Sequence, residues 1–166
     1  MDYKAIRILN GEIIVICLII AIAGIIVYPA FRDDEEYGKR TACSSRLKQL
    51  FLATATYAQD YDGKLPPKNK WSDCVKPFLE PVELLKCPTD KNADKSRCSY
   101  SFNSKLGLST FSQLKSQPTT PIYFDSKGGW NSCCPVTGAV ARHLGGVVFA
   151  FADGHVKWKR LEWFGV

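Results

Sequence analysis

Residues 13–31 form an uncharged run of nineteen residues close to the start of the chain. The run is rich in Ile, Val, Leu and Ala, with Glu12 just before it and Pro29 near its end. A helix rises about 1.5 Å per residue, so the run would reach about 28 Å, close to the apolar thickness of a bilayer. The sequence therefore predicts an apolar membrane helix, followed after Arg32 by a water-soluble domain.

The flanks of the run indicate its processing and orientation. Its end, Val27 to Arg32, is bulky and aromatic rather than Ala-x-Ala, which argues against removal as a signal peptide. Lys4 and Arg7 precede the run, and the acidic residues 33–36 follow it. Because basic flanks stay cytoplasmic, we expect the head to lie outside the cytoplasm.

The cysteines are consistent with an exported head. Cys17 lies in the apolar run, and six more follow: Cys43, Cys74, Cys87, Cys98, Cys133 and Cys134. An even number in an oxidising compartment predicts disulfides, with all fifteen connectivities open. A zinc site is the alternative for these residues, but the chain has no Cys-x-x-Cys and only two histidines, so we expect no metal and no cofactor.

Charge is distributed unevenly along the chain. Residues 1–36 hold three basic and six acidic side chains, whereas residues 37–166 hold nineteen and ten, a formal net charge of +9. Such a head attracts anionic partners, but no basic run is interleaved with aromatics, so nucleic-acid binding is only weakly indicated. No nucleophile–base pair, phosphate loop or carboxylate pair is present, and we predict no enzymatic activity.

Helical periodicity continues beyond the apolar run. Apolar or small residues recur at helical spacing on one face: Leu47, Leu50, Phe51, Thr54, Tyr57, Ala58 and Tyr61. Gly63 and Pro66 end the pattern. The sequence predicts one long, kinked helix over residues 8–61, apolar and then amphipathic, and a loop-rich head over residues 62–166.

The head contains short strand candidates. Residues 99–103 and 122–124 are two of them, and a brief helix is predicted over residues 71–79. Residues 147–152 and 155–158 flank Asp153-Gly154, which predicts a hairpin with a type I′ turn. Alternation places Val148, Ala150 and Ala152 on one face and Val147, Phe149 and Phe151 on the other. The prediction is thus an α+β fold with a small antiparallel sheet.

Glu12 and Pro29 stand seventeen residues apart. This spacing resembles that of the equivalent Glu and Pro in the bacterial type IV pilins and type II secretion pseudopilins. Residues 28–31, 43–50 and 57–66, Cys87-Pro88-Thr89-Asp90 and residues 99–103 are similar to further family segments. His143, nine residues, then Asp153-Gly154 resembles the His-x9-Asp-Gly signature of a prepilin-like subgroup.

The processing site departs from the family pattern. Aligned on Glu12, Arg7 stands where family prepilins carry the Gly before the cleavage point, and Ile8 replaces the usual Phe. Either the short cytoplasmic leader, residues 1–7, is retained, or an unusual peptidase acts on it. If it is retained, Arg7 or Lys4 of a neighbouring subunit replaces the free amine that pairs with Glu12 in related filaments.

The resemblance implies a pilin-like fold and a structural function. The fold would be one long helix packed on a small antiparallel sheet, with a disulfide-stapled head. Residues 13–31 would serve first as membrane segment and then as filament core. Partners would be further copies of the chain, the membrane before assembly, and secretion or pilus assembly machinery. The location would be the inner membrane and then the cell surface or an extracellular filament, or the periplasm for a pseudopilin.

Other interpretations stay open at this point. The chain could be a minor pseudopilin of a secretion or DNA-uptake machine whose head binds cargo, or an anchored domain that never polymerises. Glu12 could lie at headgroup level, and Pro29 could be an interfacial proline. Asp153 and His155 are weak metal candidates beside His143, although strand alternation and a turn explain all three without metal.

Overall fold

The computed structural model describes residues 3–92 and 98–164, with the side chains of residues 3–11, 29–33 and 163–164 outside the described part. The chain divides into two compact units, Met1–Tyr37 and Gly38–Val166. The predicted roles of the Arg7 and Pro29 side chains fall outside the described residues.

Helix α1 comprises Tyr3–Asp60 and contributes residues to both units. In the second unit its predicted face is buried from Leu47 to Ala58, whereas Tyr61, one residue past the helix, is half exposed. The helix ends at Asp60, one residue before the predicted end, and the predicted cap Gly63 has a φ of +74° and donates its N–H to the Ala58 carbonyl at 2.7 Å. Glycine adopts this left-handed conformation at little cost, and the bond satisfies a carbonyl in the last helical turn.

Short helices and five strands complete the second unit. Helix α2 comprises Trp71–Val75 and continues into a 3-10 turn, Lys76–Phe78, which confirms the brief helix predicted there. Further 3-10 turns are Val82–Leu85, Phe111–Gln113, Gln117–Thr119, Val136–Gly138 and Leu161–Phe164. The strands are β1 Tyr100–Asn103, β2 Pro121–Asp125, β3 Cys133–Cys134, β4 Gly146–Phe151 and β5 Val156–Arg160.

The five strands form one mixed sheet in the order β3-β1-β2-β4-β5. β1 pairs in parallel with β3, and the other neighbours are antiparallel. One face packs on the buried side of α1 through Leu47 and Leu50, and the opposite face forms a smaller apolar cluster around Phe124 and Phe149. The sheet therefore lies between two apolar layers.

The alternation predicted for β4 is confirmed. Val148, Ala150 and Ala152 join the cluster that includes α1, while Val147, Phe149 and Phe151 form the second cluster.

The predicted type I′ turn between β4 and β5 is wrong. Among Ala152, Asp153 and Gly154 only Gly154 has a positive φ, +85°, and Phe151 N–H bonds the His155 carbonyl. This is a three-residue loop with glycine in the left-handed position, which needs one positive φ rather than two.

Two parts of the predicted pilin-like fold class are wrong. The sheet is five-stranded and mixed rather than small and antiparallel, because the short strand β3 adds in parallel to β1. The seven cysteines are free thiols, so the head is not disulfide-stapled.

The predicted membrane segment, and with it the inner-membrane location, is also contradicted. Within the described residues, no helix offers a stretch long and apolar enough to cross a bilayer.

Candidate metal centre and apolar helix surface

Four side chains with metal-ligating atoms meet in the interior of the second unit. They are Cys43, Cys87, Asp125 and His143, here called the buried Cys–Asp–His cluster, and their ligand atoms all lie within 4.8 Å of one another. Each residue is at most 2% exposed. Ionisable groups are rarely buried this completely unless they are paired or bind a metal.

Helix α1 and the turn before β1 supply the two thiols. Cys43 continues the buried face of α1 one turn before Leu47, so helical spacing alone directs its side chain at the sheet. Cys87 is the first residue of the predicted turn that ends at Asp90. The Asp90 N–H donates to the Cys87 carbonyl at 3.0 Å and closes this turn. Arg142 forms a 3.0 Å ion pair with Asp90 and so ties this turn to the residue beside His143.

The sheet supplies the carboxylate and the imidazole. Asp125 ends β2 and its Oδ2 accepts the Val148 N–H at 3.0 Å. His143 lies in the tight turn before β4, where its N–H and carbonyl both bond Gly146 and its carbonyl also accepts the Trp158 indole N–H at 2.7 Å. Backbone hydrogen bonds on both sides therefore fix the two residues in place.

Contacts inside the cluster are close but mostly longer than strong hydrogen bonds. The Cys43 thiol donates to Asp125 Oδ1 at 3.4 Å, and Cys87 Sγ lies 3.2 Å from His143 Nε2. His143 Nε2 is 3.7 Å from Asp125 Oδ2. The other ring nitrogen, Nδ1, is 3.4 Å from the Thr89 hydroxyl, so Nε2 is the nitrogen that faces the cluster.

The ionisation of the cluster is strongly shifted by these contacts. The hydrogen bond between the two thiols raises the pKa of Cys43 far above its ordinary value, and burial acts in the same direction. The same bond lowers the pKa of Cys87 to about 4, with His143 contributing. Burial, followed by the charge of Cys87, raises the pKa of Asp125 to about 7. The contacts between the two thiols therefore favour ionisation of Cys87 over Cys43.

The sequence-predicted metal candidates lie elsewhere. Asp153 and His155 form an exposed pair, with 2.6 Å between Oδ1 and Nδ1, and the His155 ring stacks on Phe151. The only group of three or more potential ligands found in the described residues contains neither of them. Of the resemblance motif, the structure brings His143 into the cluster, whereas Asp153 and Gly154 form the β4–β5 loop.

Gly154 has a packing role that explains why the loop carries glycine there. A Cβ at this position would lie 2.5 Å from the Phe51 ring, and Lys48 Nζ donates to the Gly154 carbonyl at 2.5 Å. The loop is therefore pressed against helix α1 at a point where no side chain fits.

The first unit carries a second candidate site, an exposed apolar surface. Its large side chains on residues 13–28 are between 48% and 75% exposed, and we call them the apolar helix surface: Ile13, Ile14, Val15, Ile16, Leu18, Ile19, Ile20, Ile22, Ile25, Ile26, Val27 and Tyr28. Successive residues of a helix are about 100° apart, so the four consecutive residues 13–16 already reach every side of it. Glu12, also exposed, lies directly before this surface.

Sequence reasoning missed Asp125 as a functional residue and assigned Cys43 and Cys87 to disulfides. The four cluster residues are separated by 44, 38 and 18 positions, which no local spacing motif detects. Two signals were present: Cys43 shares the buried helical face of Leu47, and Asp125 places a carboxylate at the end of a fully buried strand. Comparison with known proteins finds no matching family model and no significantly similar curated protein or solved structure.

Proposed function

We propose that this protein is a structural subunit that polymerises into a filament through the apolar helix surface of α1. The observation that carries the proposal is the exposure of large apolar side chains on every side of residues 13–28. Soluble proteins seldom leave so much contiguous apolar surface in water unless a partner covers it. The partner proposed here is further copies of the same chain.

The shape of the surface favours several identical partners over one. A single partner would cover one side of a helix, whereas this helix is apolar around its whole circumference. Copies of the chain supply helices with the same property, and a bundle of them covers all sides at once. Repeated head-to-tail contacts that do not close into a ring generate a helical filament.

The expected free energy of covering this surface is of the size that association requires. Covering the exposed half of a large aliphatic side chain contributes about 1 kcal/mol, so the surface offers roughly 10 kcal/mol per subunit. This is comparable to the estimated 4–15 kcal/mol that association costs in translational and rotational freedom. In a filament each subunit contacts more than one neighbour, so more apolar area is buried for the same loss of translational and rotational freedom.

Charge segregation supports contacts between copies. Residues 1–36 carry a formal net charge of −3, from three basic and six acidic side chains, and residues 37–166 carry +9. Opposite potentials on two parts of one chain attract when copies meet and help to set their register.

The test compares the wild-type chain with two double variants by sedimentation velocity and negative-stain electron microscopy. Ile16→Glu/Ile20→Glu places two charges one helical turn apart on the apolar helix surface. Leu52→Glu/Leu108→Glu makes the same change at two exposed apolar residues of the second unit. Filaments from wild type and from the Leu52/Leu108 variant, and only small species from the Ile16/Ile20 variant, are expected.

Two results would contradict the proposal. One is a wild-type chain that stays monomeric or forms only a closed oligomer at high concentration. The other is a filament that the Ile16/Ile20 substitutions leave intact.

A further inference from the structure

We propose that the buried Cys–Asp–His cluster binds one Zn²⁺ ion in four-coordinate geometry, as a structural site that joins helix α1 to the sheet. The site is separate from the assembly surface, since all four ligands lie in the second unit. Its identification rests on the donor set, the spacing of the ligand atoms and their burial.

The spacing fits a tetrahedron around a metal ion. Zn²⁺ binds sulfur at about 2.3 Å and nitrogen or oxygen at about 2.0–2.2 Å, so neighbouring ligand atoms of a tetrahedral site lie about 3.3–3.8 Å apart. Three of the six pairs of ligands approach to 3.2, 3.4 and 3.7 Å, with Asp125 using Oδ1 toward Cys43 and Oδ2 toward His143. No ligand pair exceeds 4.8 Å. The cluster therefore needs only small side-chain movements to coordinate the ion.

The donor set selects the metal. Two thiolates and one imidazole favour a borderline-soft cation and disfavour Mg²⁺ and Ca²⁺, which take oxygen ligands. A tetrahedral set of sulfur and nitrogen donors with one carboxylate is typical of Zn²⁺. On binding, each cysteine that is still a thiol releases its proton, and His143 coordinates as the neutral ring through Nε2.

The surroundings hold the ligands as a metal site requires. Asp125 Oδ2 accepts the Val148 N–H, the Thr89 hydroxyl lies by the far nitrogen of His143, and the Tyr100 hydroxyl lies 3.4 Å from Cys43 Sγ. Such outer contacts fix the orientation of metal ligands. Complete burial of all four residues leaves no open position for substrate, which indicates a structural rather than a catalytic ion.

Metal binding also explains how so many ionisable groups are tolerated in this core. Without an ion, two thiols, a carboxylate and an imidazole are buried with only long mutual contacts, which compensate poorly for lost hydration. With an ion, the four ligands cross-link segments that are far apart in sequence, the role that disulfides were predicted to have.

The experiment measures metal content and spectra of the full chain. Protein from zinc-supplemented expression is assayed for zinc per chain by mass spectrometry, and chain refolded with Co²⁺ is examined by visible absorption. Cys87→Ser removes one ligand, and Cys133→Ser removes a half-buried thiol outside the cluster as the matched control. We expect about one zinc per chain in wild type and in the Cys133 variant, with the Co²⁺ form showing the intense bands of tetrahedral thiolate coordination.

Loss of at least about tenfold in zinc affinity is expected for Cys87→Ser. If that variant does not fold, the Co²⁺ spectrum of the wild type decides the question, because thiolate-to-cobalt bands arise only from cysteine coordination. The proposal is overturned by a wild-type chain without zinc and without a Co²⁺ spectrum, by equal zinc affinity in a folded Cys87→Ser chain, or by a Cys43–Cys87 disulfide in peptide maps.

Discussion

The buried Cys–Asp–His cluster and the apolar helix surface depart in opposite ways from the usual distribution of side chains. In the cluster, ionisable groups lie where apolar groups are expected, at 0–2% exposure. On residues 13–28, large aliphatic groups are about half exposed where polar groups are expected. Each arrangement is unfavourable for an isolated chain. A bound cation would stabilise the cluster, and apolar partners would stabilise the helix surface.

The two regions also differ in the contacts that fix their side chains. Each cluster residue is fixed by packing or hydrogen bonds from other elements of the second unit, so the cluster is ordered before any ligand binds. The large apolar side chains of residues 13–28 are between 48% and 75% exposed, so most of their surface is open to a partner. Substitutions in the second unit should therefore change the free energy of unfolding, and those on the apolar helix surface should change association.

The largest difference is expected between two aliphatic truncations on the same helix. Leu50→Ala removes a fully buried side chain from the α1–sheet cluster and should lower the free energy of unfolding by about 3 kcal/mol. Ile20→Ala removes a side chain that is 65% exposed and should leave the unfolding of the dissociated chain within about 0.5 kcal/mol of wild type. Urea titration measured below the assembly concentration checks both; a costly Ile20→Ala would show that this surface is already packed within the chain.

Substitutions at two glycines, one in each unit, test the same comparison. Gly154→Ala combines a φ of +85° with a Cβ only 2.5 Å from Phe51, so a loss of about 1–3 kcal/mol in unfolding free energy is expected. Gly24→Ala lies in α1 with nothing within 4 Å of the added Cβ and should stabilise the helix by up to about 1 kcal/mol. Thermal unfolding of both variants tests this; equal effects would contradict the assignment of the two glycines to different environments.

The smallest effect concerns the charge before the apolar helix surface. If Glu12 is covered in the assembly, it needs a cation, and the sequence offers Arg7 or Lys4 of a neighbouring copy, of which Arg7 is tested first. Glu12→Arg alone should raise the critical concentration for assembly about tenfold, and Arg7→Glu/Glu12→Arg should recover most of the loss. Light scattering as a function of protein concentration measures the critical concentration of each variant. A double variant no better than the sum of the single variants would exclude this pairing.

Local pattern was sufficient for much of the second unit. Period-two alternation identified both faces of β4, and Gly63 marked the end of α1, because these signals depend on neighbours in sequence. The turn between β4 and β5 was wrong in type because Asp-Gly fits two loop lengths, and the strand register selects between them. The parallel pairing of β3 depends on packing between distant segments, which the two residues Cys133 and Cys134 do not reveal.

The candidate metal centre could not be predicted from the sequence for a related reason. Cysteine number and a presumed compartment suggested disulfides, whereas the fate of each thiol is decided by its position in three dimensions. Cys133 and Cys134 point to opposite faces of the sheet, and Cys98 bonds locally to Tyr100. Cys43 and Cys87 lie close to each other, and both lie close to Asp125 and His143. Tertiary placement, and not spacing, assembles the ligand set.

Cryo-electron microscopy of material assembled from the purified chain tests the central claim most directly. The account predicts filaments in which side chains of residues 13–28 pack against the same residues of neighbouring copies. Filaments held together by contacts among residues 38–166, with residues 13–28 left in solvent, would contradict it.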